Sequence, residues 1–150
     1  MIEFEGDYIG EGKRPYIVAE VGGNFRDDIE LGKVFIEEAA DAGADAVKIQ
    51  THIPDAEMVE SEMRELGMGD LYERMGVYEL SMDEHRELYD HCEKHNITFL
   101  STPYSTEAVT RLEELGVGAY KIGSGELTNR HLLRTIAETG KPMIVSTGMH

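Results

Sequence analysis

Three charged residues sit where apolar strands are expected to run. Glu20 follows Tyr16-Ile17-Val18-Ala19, Lys48 lies within Ala46-Val47-Lys48-Ile49, and Lys121 lies within Ala119-Tyr120-Lys121-Ile122. Charges are rare in strands covered on both faces. Alternation puts Ala46, Lys48 and Gln50 on one face and Val47 and Ile49 on the other, and by the same count Lys121 points away from Tyr120 and Ile122. Two ammonium groups converging in a half-buried pocket repel each other unless an anion lies between them, and Glu20 can neutralise only one. The functional reading is a pocket for an anionic substrate. The plain alternative is a buried Lys–Glu pair that fixes strand register, with the second lysine reaching solvent.

Small groups at the other strand ends agree with the anion reading. Thr102-Pro103, Gly123-Ser124-Gly125 and Ser146-Thr147-Gly148 offer hydroxyls and unhindered backbone N–H groups to carboxylate or phosphate oxygens. Glu126 is either a first-turn helix residue favoured by the helix dipole or a ligand for a sugar hydroxyl. His52 and His150 are expected to be surface loop residues, with no ligand spacing beside them. His85, His91, His95 and His131 are placed on polar helix faces or ends. Cys92 has no basic neighbour arranged to activate it, and no G-x-S-x-G elbow supports a serine hydrolase.

The elements that would position these residues alternate along the chain. Apolar runs at 16–19, 46–49, 97–100, 119–122 and 143–146 read as strands. Helical stripes fall between them: 29–42, a helix opened by Ser81 with Glu84 as a capping box, 105–115 and 128–139. Gly43, Asn96, Gly116 and Gly140 stand at the helix ends as left-handed stops. The β-α order calls for a parallel sheet, and without a G-x-G-x-x-G after any strand the dinucleotide-binding open sheet is disfavoured. The expectation is a (β/α)₈ barrel, of which five strands and four helices are about the first half, since a whole barrel takes about 250 residues. Between Thr51 and Leu80 runs a long connection carrying Met58, Met63, Met68 and Met75. These either pack a small extra helix or form a lid or subunit contact.

Composition sets the outer limits. The 150 residues carry 14 Lys and Arg against 30 Asp and Glu, a net charge of −16, which opposes nucleic-acid binding. The acidity is either an ordinary solvated surface or an adaptation to a salt-rich interior, the latter in keeping with only six lysines. A single cysteine excludes an intrachain disulfide. No run approaches the roughly 20 apolar residues of a membrane span, and MIEFEGDYIG is no signal peptide, so a soluble cytoplasmic protein is expected.

The stretches AEVGGNF (19–25), DAVKIQT (45–51), FLSTPYS (99–105), AYKIGSGELTN (119–129) and GKPMIVSTGM (140–149) together resemble the N-acetylneuraminate (sialic acid) synthase family. That family includes legionaminate and pseudaminate synthases and spore-coat polysaccharide enzymes. The resemblance implies a (β/α)₈ barrel followed by an antifreeze-like domain, with residues 1–150 the N-terminal half of the barrel and the rest absent. It implies condensation of phosphoenolpyruvate with an N-acyl amino sugar of the N-acetylmannosamine type, with phosphate release. It further implies a divalent metal (Mn or Mg) whose ligands are not in this chain, and a homodimer in the full-length protein. Carried onto this chain, Lys48 and Lys121 hold the phosphoenolpyruvate carboxylate and phosphate, with Thr102, Ser124 and Ser146 on its oxygens and Gln50 beside them. Glu20 is the acid/base group, and Glu126 contacts the sugar. One departure is Phe25, where the family usually has histidine after asparagine. The rival readings are a related phosphoenolpyruvate-dependent 3-deoxy sugar acid synthase and a non-catalytic anion-binding half-barrel.

Overall fold

The structure, a computed structural model, describes residues 1–148. Five parallel strands form one sheet: β3 (Val18–Gly22), β4 (Ala46–Thr51), β5 (Thr98–Pro103), β6 (Tyr120–Ile122) and β7 (Met143–Val145). Their spatial order is their chain order, β3-β4-β5-β6-β7. An open doubly wound sheet reverses order at a switch point; this one never does, and steady progression is the barrel pattern. The four expected helices lie between the strands as α1 (Ile29–Asp41), α5 (Met82–Lys94), α6 (Thr106–Leu115) and α7 (Arg130–Glu138). The last is preceded by a 3₁₀ turn at Ser124–Thr128, so the fourth helix starts two residues later than its stripe suggests.

Local chemistry explains the helix bounds. Asp28, Ser81, Ser105 and Asn129 each accept a hydrogen bond from a first-turn backbone N–H, filling donors that a helix start leaves unpaired. At Ser81 the reciprocal bond from its own N–H to the Glu84 carboxylate, at 2.7 Å, completes the box. Gly43, Asn96, Gly116 and Gly140 all take positive φ, from 54° to 93°, as the stop reading requires.

The sheet separates two cores. On the helix side Val47, Ile49, Phe99, Tyr120 and Ile122 pack against Ile36, Leu88, Leu112 and Ile136. On the inner side Ala46, Leu100 and Ala119 meet Phe4. That phenylalanine comes from an antiparallel hairpin absent from the sequence-based expectation, β1 (Ile2–Phe4) and β2 (Asp7–Ile9), turned through Glu5 and Gly6 at φ 51° and 83°. Three-residue strands alternating with charges carry too little apolar signal to be read alone. The hairpin plugs the inner face at the N-terminal end of the sheet, with Phe4 edge-on to Tyr16 at 5.2 Å.

The long connection forms three short helices, α2 (Pro54–Glu57), α3 (Glu60–Glu65) and α4 (Gly69–Gly76). Met58, Met63 and Met75 are half-buried while Met68 is exposed, nearer the packing reading, though with three helices rather than one. Among the described residues no helix is long and apolar enough to cross a membrane.

Candidate active site

Strand register brings the three charges together. Glu20 on β3 stands opposite Lys48 on β4, and its carboxylate accepts from Lys48 Nζ at 2.7 Å. Beyond this pair β3 bulges, so that Gly22 rather than Val21 pairs with Ile49. A bulge there turns the chain away from the ladder; Gly22 takes it up at φ 58°, and Val21 enters the helix-side core. Lys48 is 7% exposed, and its ammonium also lies 3.4 Å from Thr102 Oγ1.

Two strands away Lys121 leans toward β7, donating to the Ile122 carbonyl at 2.8 Å and to Ser146 Oγ. Glu20, Lys48 and Lys121 line one cavity of about 170 Å³ floored by Val18, Leu100 and Ile144. Burial is the main cause that pushes the Lys121 ammonium below its ordinary pKa, and the Lys48 charge adds to it against a smaller opposing pull from Glu20. One carboxylate therefore faces two ammonium groups over an apolar floor, and the surplus is one positive charge.

The remaining expected residues divide. Gln50 is paired in register with Thr102, and its amide Nε2 donates to Tyr104 OH at 3.0 Å. Ser124 and Glu126 lie on the 3₁₀ turn beyond β6, and among the described residues neither side chain bonds to the cavity residues. One Glu126 oxygen accepts from Asn129 Nδ2 at 2.9 Å, steadying the N-cap of α7 from the preceding 3₁₀ turn rather than from the first turn of the α-helix.

Two histidine expectations need correction. His52 is buried rather than on the surface: its Nδ1 donates to Glu57 at 2.9 Å, and its ring stacks on Tyr104 at 4.3 Å. Glu57 in turn accepts from the Ile53 N–H at 2.7 Å, so α2 is tied to the mouth of the sheet. Burial raises the Tyr104 phenol, and the charges of Glu57, Glu126 and Glu20 all act in the same direction. Tyr104, His52 and Glu57 thus extend the polar rim, and His52 was within reach of the period-two count through Lys48 and Gln50. His85 is fully buried rather than on a polar face. Its Nδ1 donates to the Ser81 carbonyl at 3.0 Å, which leaves Nε2 to accept from Thr51 Oγ1 at 3.1 Å. His150 lies outside the described residues.

Phe25, the departure noted above, is buried in the helix-side core against Gly32, so its ring does not line the cavity. Cys92 is buried and its thiol is pushed up to about 12, leaving it inert.

Among the described residues the one trio of His and carboxylate groups close enough to share an ion is Glu37, His91 and His95. These lie near the C-termini of α1 and α5. In a β/α unit those ends adjoin the N-terminal edge of the sheet, away from Gln50 and Thr102. The trio does not fit a metal acting beside Lys48 and Lys121.

The sequence profile described as the NeuB family matches residues 35–150. An uncharacterized protein of Methanocaldococcus jannaschii is 43% identical over 143 residues, covering 95% of this chain and 40% of its own length. The N,N'-diacetyllegionaminic acid synthase of Campylobacter jejuni is 40% identical, covering 91% of this chain and 43% of its own length. The crystal structure of the sialic acid synthetase of Leptospira borgpetersenii with citrate superposes at a TM-score of 0.87 with 32% identity, over 99% of this chain and 50% of that one. The chain thus spans about two fifths of the length of these curated relatives and half of the solved one.

Proposed function

This chain belongs to the NeuB family, and on that premise we propose that its inner sheet face carries the phosphoenolpyruvate side of a nonulosonic acid synthase. The supporting observation is the charge imbalance in the cavity: Glu20 neutralises Lys48, while Lys121 is held beside them and, among the described residues, donates to neutral oxygens alone. A carboxylate or phosphoryl group entering the cavity would relieve that repulsion, which is the physical signature of an anion site.

In this reading Lys48 and Lys121 take the carboxylate and phosphate of phosphoenolpyruvate. Thr102, Ser124 and Ser146 offer hydroxyls to its oxygens, and Gln50 holds the edge of the site. The enol carbon forms a bond to the aldehyde carbon of an open-chain N-acyl amino sugar, whose oxygen takes up a proton to become a hydroxyl. Water adds to the cationic carbon left behind, and phosphate departs from that carbon to leave a 2-keto acid. Glu20 stands where it can steer the proton of the incoming water and stabilise the transient cation. The ammonium groups stabilise the departing phosphate. Glu126 reaches the sugar with its remaining oxygen. The second half of the barrel and an antifreeze-like domain belong to the same proposal, as does a homodimer of the longer protein. The divalent metal of the reaction would then be held by residues of that second half.

The test is phosphate release from phosphoenolpyruvate with N-acetylmannosamine and manganese, in a form extended through the remaining half-barrel. Sugar-dependent release that disappears in Lys121→Ala is expected. Release that ignores the sugar, or survives that substitution, overturns the assignment. Binding of phosphoenolpyruvate without turnover across several amino sugars favours the anion-binding reading instead.

A further inference from the structure

A second cluster lies at the opposite end of the helices. Helices α1 and α5 pack side by side, with the Leu88 side chain close against Gly32. Polar rungs run along their outer seam at four-residue intervals. Lys33 pairs with Glu87, and Glu37 accepts from His91 Nε2 at 2.9 Å. The next residue on the α5 side is His95, four beyond His91, a His-x-x-x-His spacing that puts both rings on one helix face. The rings lie 4.6 Å apart. His95 Nε2 is buried and has no hydrogen-bond partner among the described residues, and it lies 3.8 Å from the same Glu37 oxygen that holds His91.

We propose that Glu37, His91 and His95 form a binding site for a divalent transition ion of the zinc class, separate from the substrate cavity. Two imidazoles and a carboxylate are the ligand set such ions favour, with water completing the shell. Bonds of about 2.0–2.1 Å around a tetrahedral ion separate neighbouring ligand atoms by roughly 3.3 Å. The separations of 2.9 and 3.8 Å from Glu37 Oε1 bracket that value, and all three ligand atoms lie within 4.8 Å of one another. An ion would give the stranded His95 nitrogen its partner. The backbone is already fixed for it: His95 is the C-cap of α5, its N–H donating to His91 and Cys92, and Asn96 then turns the chain at φ 54°. Side-chain ordering needed on binding is small, because Glu37 and His91 are already in contact.

The measurement is cobalt titration of the chelator-stripped full chain, followed by its visible absorption, with zinc as competitor. The expected result is one equivalent of cobalt in a tetrahedral-type spectrum, displaced by zinc. Binding should weaken at least about 100-fold in His91→Ala and in His95→Gln, beyond the 10- to 100-fold typical of residues that merely orient ligands. Glu37→Gln should weaken it less and shift the absorption bands. Since the cluster is remote from Lys48 and Lys121, phosphoenolpyruvate binding should be unaltered in all three variants, so the outcome is independent of the substrate assignment. His95→Gln keeps the size of the side chain and serves if His91→Ala disturbs the helix pair. Cobalt binding that is absent, or that keeps its strength in His95→Gln, overturns the site.

Discussion

At the scale of single residues, Lys121 carries the clearest consequence. Burial and the Lys48 charge disfavour its protonated form, and an anion in the cavity would favour it. Phosphoenolpyruvate binding on the alkaline side, below the ordinary lysine value of 10.5, should therefore take up protons, seen by calorimetry in buffers of different ionisation enthalpy, and Lys121→Met should abolish that uptake. The same substitution should weaken binding about 10- to 100-fold, the worth of one charge-assisted contact of about 1.5–3 kcal/mol. Binding with no proton uptake would remove Lys121 from the anion's shell. His85 gives a second, structural prediction. Its burial lowers the imidazole pKa from 6.5, so the unfolded chain binds the proton more readily than the folded one. Stability should be constant above about pH 6.5 and decline as pH falls below it. Urea unfolding at pH 7.5 and 5.5 reads this. His85→Leu should be less stable by about 1–3 kcal/mol at the higher pH, where Thr51 and the Ser81 carbonyl lose their imidazole partner, and should flatten the difference between the two.

At the scale of elements, α5 is the pivot. Its N-terminus reaches the sheet through His85, which is bonded to Thr51 at the end of β4, and its C-terminus carries His91 and His95. The capping box is exposed and touches no cavity residue, so Ser81→Ala isolates a local effect. It should cost about 1 kcal/mol, a fall in melting temperature of about 2–4 °C, without altering anion affinity. Loss of affinity in that variant would show that α5 positions the mouth more directly than its contacts suggest. Legibility at this scale was uneven. The Ser81–Glu84 box and the four left-handed stops were readable because cap chemistry is written within a few residues. The β1–β2 hairpin was not, because its stability comes from Phe4 packing against strands far along the chain.

For the whole molecule, two properties matter. A net charge of −16 on 150 residues is self-repulsive. Raising sodium chloride from 0.1 M to 1 M shortens the screening length from about 10 Å to about 3 Å, so the melting temperature should rise. An unchanged value would mean that the carboxylates are spaced widely enough to repel little at ordinary salt. The second property is the inner face of the sheet. Phe4, Ile9, Tyr16, Val18 and Ile144 line an open apolar cavity of about 470 Å³, and the proposed second half of the barrel would cover it. A dye that fluoresces on apolar surface should bind this chain strongly and a form extended through that half weakly. Equal binding by both would count against the half-barrel arrangement.

Sequence alone determined the alternation of strands and helices, the bounds of most helices and the face on which Lys48, Gln50 and Lys121 project. Those signals are local, since strand phase and cap chemistry act over two to four residues. Tertiary structure decided the partnerships. Whether Glu20 would meet Lys48 depended on the register of β3 against β4, and Glu20 and Lys48 are 28 positions apart. His52 came to rest on Tyr104, and His95 beside Glu37, through packing between elements distant in the chain. His91 and His95 stand four apart in the sequence, yet two residues on one helix face name no ligand until another helix brings a carboxylate to them.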